Sequence, residues 1–338
     1  MDNKQKIDPE LVAPLKTFLD ASGGGLNLND IPATRIMMEQ NADAIKAFMP
    51  PITGVSIEDK QIPGAEEGDT AKFRVYQPEQ RTGKLPALLW IHGGGYTLGN
   101  AEGDDLMASR WAKELSCVVV SVDYRLAPEH PFPAPLEDCY SALKWLTDNA
   151  DELDVDKSRI VIGGASAGGG LAAGLALLTR DRGEIEIAYQ VLIYPMIDDT
   201  NLTQASDQVE DTLVWSRESN LLGWRAYLGF KFEGYNLGGS KCGGYEPGGK
   251  DVPPYAAATR AKDLSNLPPA FISVGDLDLF LSENIEYAHR LLKAGVSTEL
   301  HVYHGGYHAF NGLAPTAKVS CRFNDDRDNA LKRALSGE

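Results

Sequence analysis

The 338-residue sequence has no uninterrupted apolar run approaching the length of a membrane-spanning helix, so a membrane-embedded protein is not expected. Its first residues, MDNKQKIDPEL, lack both the apolar core and the small-residue cleavage signature of a secretory signal. Cysteine is scarce: Cys117, Cys139, Cys242 and Cys321 are scattered and form no CxxC pair. That spacing argues against a disulfide framework and against a zinc site. It reads as free thiols in a reducing compartment, hence a cytoplasmic protein. Cys117 and Cys139 fall in apolar segments and read as inert core residues. Positive charge is also short, with 32 Lys and Arg against 48 Asp and Glu, a formal net charge of −16. A chain of that sign repels phosphate backbones and anionic lipid, so neither nucleic acid nor a membrane surface is an expected partner. No internal repeat is visible.

What the chain does have is apolar mass, 43% of its residues. That suits one large domain with an appended lobe. Short apolar runs predict strands over Lys72–Tyr76, Pro86–Ile91, Cys117–Val122, Arg159–Ile162, Ala188–Tyr194, Ala270–Val274 and Thr298–Tyr303. Helical spacing is seen over 13–19 and 34–48, in a helix closing over 111–115, and at Leu136, Cys139, Tyr140, Leu143 and Leu146. It recurs over 166–179, over 283–293 with Gly295 as a stop, and over 325–335. Apolar strands alternating with amphipathic helices predict an α/β fold, a mostly parallel sheet covered on both faces. The rhythm breaks from Asp198 to about Pro254. There Trp215, Trp224, Tyr227 and Phe230 precede the Gly-rich run GYNLGGSKCGGYEPGGK, and the segment reads as a lid outside the sheet. Its aromatics either line an apolar pocket or form the lid's own core.

The 34 glycines concentrate where chemistry is expected. The stretch IVIGGASAGGGLAAGLAL, residues 160–177, reads as strand, tight turn, helix. A phosphate-binding loop would need a Lys followed by Ser or Thr, and none is present before Arg180; the GxGxxG spacing is also wrong. The spacing that fits is Gly164-Ala165-Ser166-Ala167-Gly168, a strained turn that exposes a nucleophilic serine. His92-Gly93-Gly94-Gly95 follows an early strand. There glycine backbone N–H groups, with that of Ala167, suit an oxyanion. A serine needs a base and the base an orienting acid, in the order Ser, acid, His. Asp276 and Asp278 follow the strand PAFISV, and His304 and His308 follow TELHVY. The other histidines lie elsewhere: His92 in the glycine segment, His130 in a Pro-rich loop, His289 in a helix, His301 within a strand.

Taken together, HGGGY (92–96), DYRLAPEHPFPA (123–134), GASAGGG (164–170), LIYP (192–195), LPPAFISVGDLD (267–278) and HGGYHAF (304–310) resemble the hormone-sensitive lipase family of α/β-hydrolases, the bacterial family IV esterases. The matching pieces span about two-thirds of the chain, in the family's order. The resemblance implies a nucleophile at Ser166, an acid at Asp278 and a base at His308. It implies oxyanion donors at Gly93, Gly94 and Ala167, with His92 anchoring that loop. It also implies a helical cap made of residues 1–50 and 198–254 over a hydrolase core of 51–197 and 255–338. Small, short-acyl esters are the implied substrates, with no metal or cofactor needed. Family members often form homodimers, a point on which this sequence is silent. Three departures stand out. Ala165 replaces the family's acidic elbow residue, Leu279-Phe280 replaces Pro-Leu after the acid, which leaves room for Asp276, and Ala258 stands where Pro is common. A non-catalytic ligand binder on the same fold, as in gibberellin receptors, would lack the histidine, and His308 argues against it. Amide or carbamate hydrolysis would use the same triad.

Overall fold

Burial on both faces explains the nearly continuous apolar strands. In β3 (Leu85–Ile91), Ala87, Leu89 and Ile91 enter one core while Leu88 and Trp90 enter the other. β4 (Val118–Asp123) and β5 (Val155–Ala165) divide the same way: Val118, Val120, Val122, Ile160 and Ile162 face one side, Val119 and Val161 the other. With successive side chains pointing to opposite faces, every position of β3 is buried, as are Val118–Val122 of β4 and Ile160–Gly164 of β5. The computed structural model in which this is seen describes residues 7–46, 51–200, 214–230 and 244–337. Cys242 and the Gly-rich run as far as residue 243 lie outside the described residues.

Eight strands form one sheet: β1 (Val55–Pro63), β2 (Thr70–Pro78), β3, β4, β5, β6 (Tyr189–Ile193), β7 (Ala270–Gly275) and β8 (Thr298–Tyr303). Their spatial order is β1-β2-β4-β3-β5-β6-β7-β8, and only β2 runs against the rest. β1 is the strand the sequence reading missed. Its side chains at Glu58, Asp59, Gln61 and Pro63 are exposed, as an edge strand allows, so its apolar signal is thin. The chain turns outward from β3 in both directions, to β4 and to β5. The crevice at the carboxyl ends of β3 and β5 is therefore the topological switch point, where ligands bind in open α/β sheets.

The helices are α1 (Pro9–Ser22), α2 (Ile31–Lys46), α3 (Asp105–Glu114), α4 (Ala134–Asp148), α5 (Ala167–Arg182), α6 (Arg217–Tyr227), α7 (Leu281–Lys293), the single turn α8 (Phe310–Leu313) and α9 (Lys318–Ser336). One core holds Leu136 and Leu143 of α4, Leu171 and Leu175 of α5, and Tyr287 and Leu291 of α7. The second holds Leu11 and Leu15 of α1, Trp111 of α3, and Phe323 and Leu331 of α9. α7 ends as read from sequence, with Gly295 at φ +82° just past the helix. No strand occurs among the described residues of 198–254. α6 packs instead on the N-terminal segment, where the Ser219 hydroxyl donates to the Leu26 carbonyl and Leu26 N–H to that of Val214. No helix among the described residues is long and apolar enough to cross a membrane.

Candidate active site

β5 runs into α5 through one residue, Ser166, whose φ of +56° and ψ of −120° lie outside helix and strand alike. Such a conformation persists only where its surroundings hold it. Here Ser166 N–H donates to Ile193 O (2.9 Å), while Ser166 O accepts from Gly170 N–H (2.9 Å) and Met196 N–H (3.0 Å). The turn is also crowded. A Cβ on Gly168 would collide with the carbonyl oxygens of Ile91 and His92, and one on Gly170 with that of Met196. The glycines therefore let α5 close against the ends of β3 and β6.

The strain aims the side chain. Ser166 Oγ lies 3.0 Å from Nε2 of His308, and Nδ1 of the same ring lies 2.8 Å from Oδ2 of Asp278. All three residues are buried, Asp278 completely. The second carboxylate oxygen of Asp278 accepts the Phe280 N–H at 2.9 Å, which fixes the acid in its loop after β7. The imidazole is packed edge-to-face by two aromatic rings, Tyr194 (centroids 4.8 Å apart) and Phe280 (5.1 Å). Tyr194 is itself held by a hydrogen bond from its hydroxyl to Asn311 (3.1 Å).

The two alternatives left open by the sequence separate here. Asp276 pairs with His304 at 2.6 Å and accepts the Gly305 N–H, and the His304 side chain is 85% exposed. This second Asp–His pair lies two and four residues from the first but does not meet Ser166. Of the remaining histidines, His301 sits between Glu299 and Asp326.

Gly93 lies against the elbow: a Cβ there would stand 3.0 Å from Ala165 O and 3.4 Å from Ser166 Cβ. Gly94 has φ +118°, reachable without strain only by glycine. Ala167 opens α5, where helical N–H groups have no partner within the helix. His92 braces this segment. Its Nδ1 meets Gly93 O at 2.7 Å and its ring stacks on Tyr124 (4.2 Å), whose hydroxyl donates to His92 O. Burial lowers the His92 pKa, so the ring is neutral at neutral pH.

Trp215, Trp224 and Tyr227 are buried, and Phe230 is half-buried. Tyr227 stacks on Tyr96 (3.9 Å), the residue that ends HGGGY, and Trp224 tilts against the same ring. Trp215 lies over Gly95. These aromatics form a core between α6 and the glycine segment. Two polar residues that the sequence reading passed over also serve the site. Glu283 Oε1 accepts the N–H groups of Ile197 (2.9 Å) and Asp198 (3.2 Å), and Asn284 donates to Pro195 O (2.8 Å). They clamp the loop that supports the elbow from below. Burial, with Asp198 and Asp278 nearby, holds the Glu283 carboxyl well above the usual range. Its only sequence signal was an acid in the first turn of a helix. Among the described residues no group of His, Cys, Asp or Glu is arranged to hold a metal ion.

The sequence profile of an α/β-hydrolase fold family matches residues 88–312. The carboxylesterase NlhH of Mycobacterium tuberculosis is 35% identical over 263 residues, 78% of each protein. Among solved structures, a bacterial heroin esterase superposes with a TM-score of 0.89 at 40% identity, covering 98% of both chains. A hyperthermophilic esterase from the archaeon Pyrobaculum calidifontis does so at 0.82 and 35% identity, again over 98% of each.

Proposed function

We propose, from the premise that this chain belongs to the hormone-sensitive lipase (bacterial family IV esterase) group of α/β-hydrolases and is a carboxylic ester hydrolase, that it cleaves small, short-acyl esters through a serine acyl-enzyme. The observation that carries the reading is the unbroken chain of short hydrogen bonds from Ser166 through His308 to Asp278, buried at the switch point of the sheet.

In this reading Ser166 Oγ attacks the ester carbonyl as His308 Nε2 takes its proton. Asp278 keeps Nδ1 protonated, and hence the tautomer whose Nε2 can accept, and it stabilises the imidazolium that forms. The oxyanion develops beside the N–H groups of Gly93, Gly94 and Ala167. These are fixed donors that need no reorganisation. His308 then protonates the departing alcohol. A water molecule activated by the same ring releases the acid, and no metal or cofactor enters either step. The edge-on rings of Tyr194 and Phe280 exclude water around the imidazole and limit its rotation.

The described parts of residues 1–50 and 198–254 form the cap, an assignment supported by the contacts of α6 with Leu26 and with the glycine segment. Three unpaired cysteines, Cys117, Cys139 and Cys321, fit a reducing compartment, and the reading places the enzyme in the cytoplasm. Ser166→Ala tests it: hydrolysis of p-nitrophenyl acetate should fall to background while the fold, followed by circular dichroism, is kept. Substantial residual turnover would overturn the serine mechanism. A series of p-nitrophenyl esters of graded acyl length, run beside amides and carbamates, fixes the substrate class; rates highest on amides would replace the esterase reading.

A further inference from the structure

Beside Gly93 lies a cavity of about 250 Å³. Its wall includes Arg35, Met38 and Glu39 of α2, His92 and Gly93 of the oxyanion segment, and Asp104 from the turn before α3. The charges on this wall are unequally committed. Arg35 spends its guanidinium on Glu129 (2.8 and 2.9 Å) and on the carbonyls of Thr97 and Ala127. His92 is neutral, for the reasons given above. Glu39 is exposed at the cavity's edge. Asp104 is part-buried: Oδ2 accepts the indole N–H of Trp90 at 2.8 Å, and its other oxygen has no hydrogen-bond partner among the described residues. The cation whose charge bears on Asp104, Arg327 of α9, is committed to Asp328 at 2.9 Å. The cavity thus presents carboxylate and no uncommitted positive charge, in a molecule of net charge −16 that draws cations toward its clefts.

We propose that this cavity is a subsite for an ammonium group, with Asp104 as the specificity-determining residue, so that esters of amino alcohols or amino acids are the favoured substrates. The proposal rests on the esterase reading and narrows it. A carboxylate with one oxygen free, set beside the oxyanion segment and partly removed from water, gains more from an ammonium partner than it would at the open surface. The pH behaviour follows from what surrounds Asp104. Burial, with Asp105 next in the chain, pushes its carboxyl up, the Trp90 hydrogen bond and Arg327 pull it down, and it stands at about 6. Tyr76, Tyr124 and Tyr194, which share its field, are all raised and stay neutral between pH 5 and 8. Asp104 is therefore ionised above about pH 6, and the preference for cations is present there and lost below.

The test compares acetylcholine with its uncharged isostere 3,3-dimethylbutyl acetate. The quantity read is the ratio of their kcat/KM values, in which any pH effect common to both substrates cancels. The expected ratio is about tenfold in favour of acetylcholine at pH 8: its trimethylammonium has no N–H to donate, and about tenfold is the size of one charge–charge attraction between the bulk-water and part-buried limits. It should fall toward unity at pH 5, and Asp104→Asn should bring it toward unity at both. A ratio at or below one at pH 8, or a preference unchanged in Asp104→Asn, overturns the proposal. If neither ester is turned over, choline and 3,3-dimethylbutanol compete against p-nitrophenyl acetate with the wild-type chain. Stronger inhibition by choline at pH 8 than at pH 5 supports the subsite, and equal inhibition by the two alcohols overturns it. Loss of p-nitrophenyl acetate hydrolysis itself would overturn the esterase reading, a failure visible before any ratio is measured.

Discussion

Two Asp–His pairs follow β7 and β8 within a few residues of each other, and their surroundings give them different fates. Asp278 and His308 are buried, and their bond points the ring at Ser166; Asp276 is half-buried and its partner His304 is exposed, where a solvated contact is worth little. Asp278→Asn should lower kcat by about 10⁴, the scale of losing the correct tautomer. Asp276→Asn should change it by no more than about twofold. Steady-state kinetics on p-nitrophenyl acetate compares the two, and the reverse order would reassign the acid. Asp104 carries a second prediction at this scale. Its carboxyl titrates near 6 in the fold against an ordinary value of 3.8. An acid whose pKa is raised by folding costs stability once ionised. The cost is absent below about pH 4, grows between the two values and is complete above about 6. Asp104→Asn should therefore raise Tm at pH 8 and leave it nearly unchanged at pH 4, as thermal melts across that range would register. The penalty is the stability forgone to keep a charge in the cavity.

At the scale of elements, the strand–turn–helix at Ser166 works because three backbones meet with no side chain between them. Gly168→Ala would raise helix propensity in α5 by about 1 kcal/mol. The added methyl would nonetheless meet two fixed carbonyl oxygens, so the expected result is a lower Tm and a lower kcat together. Ala165, the departure noted in the elbow, lies in the β5–β6 pairing opposite Ile193 and is half-buried. The turn keeps its geometry without an acid there. Support comes instead from the 195–198 loop, which Glu283 and Asn284 hold. Glu283→Ala would orphan the buried Ile197 N–H, at a cost of about 1–3 kcal/mol, and the part-buried Asp198 N–H, while Glu283→Gln keeps an acceptor oxygen for them. Urea unfolding should therefore show a large loss of stability for the alanine variant and a small one for glutamine. Equal losses would mean that the charge, not the acceptor, matters.

Across the whole molecule, one sheet sandwiched between two apolar cores carries a site assembled from segments that run from His92 to His308 in the chain. α1 reaches the His308 loop, with Asp8 N–H donating to Gly305 O and the Tyr307 hydroxyl to Leu11 O, while α6 clamps the glycine segment through Tyr96. Trp224→Ala removes a fully buried ring from that clamp and should cost about 3–5 kcal/mol in chemical denaturation. The alternation of apolar strands and helices was legible in the chain because burial on both faces writes an unmistakable composition. So was the serine elbow, because a strained turn tolerates only small neighbours. β1 was not legible, since an edge strand exposes most of its side chains, and neither was α6, whose aromatics fit a pocket as well as a core. The sequence by itself determined the sheet, the serine elbow and a short set of acids and histidines: local sterics and periodicity are properties of neighbouring residues. Only the tertiary structure decided which Asp–His pair meets Ser166 and which carboxylate faces the cavity beside Gly93. Those are distances between segments far apart in the chain, and no local rule carries them.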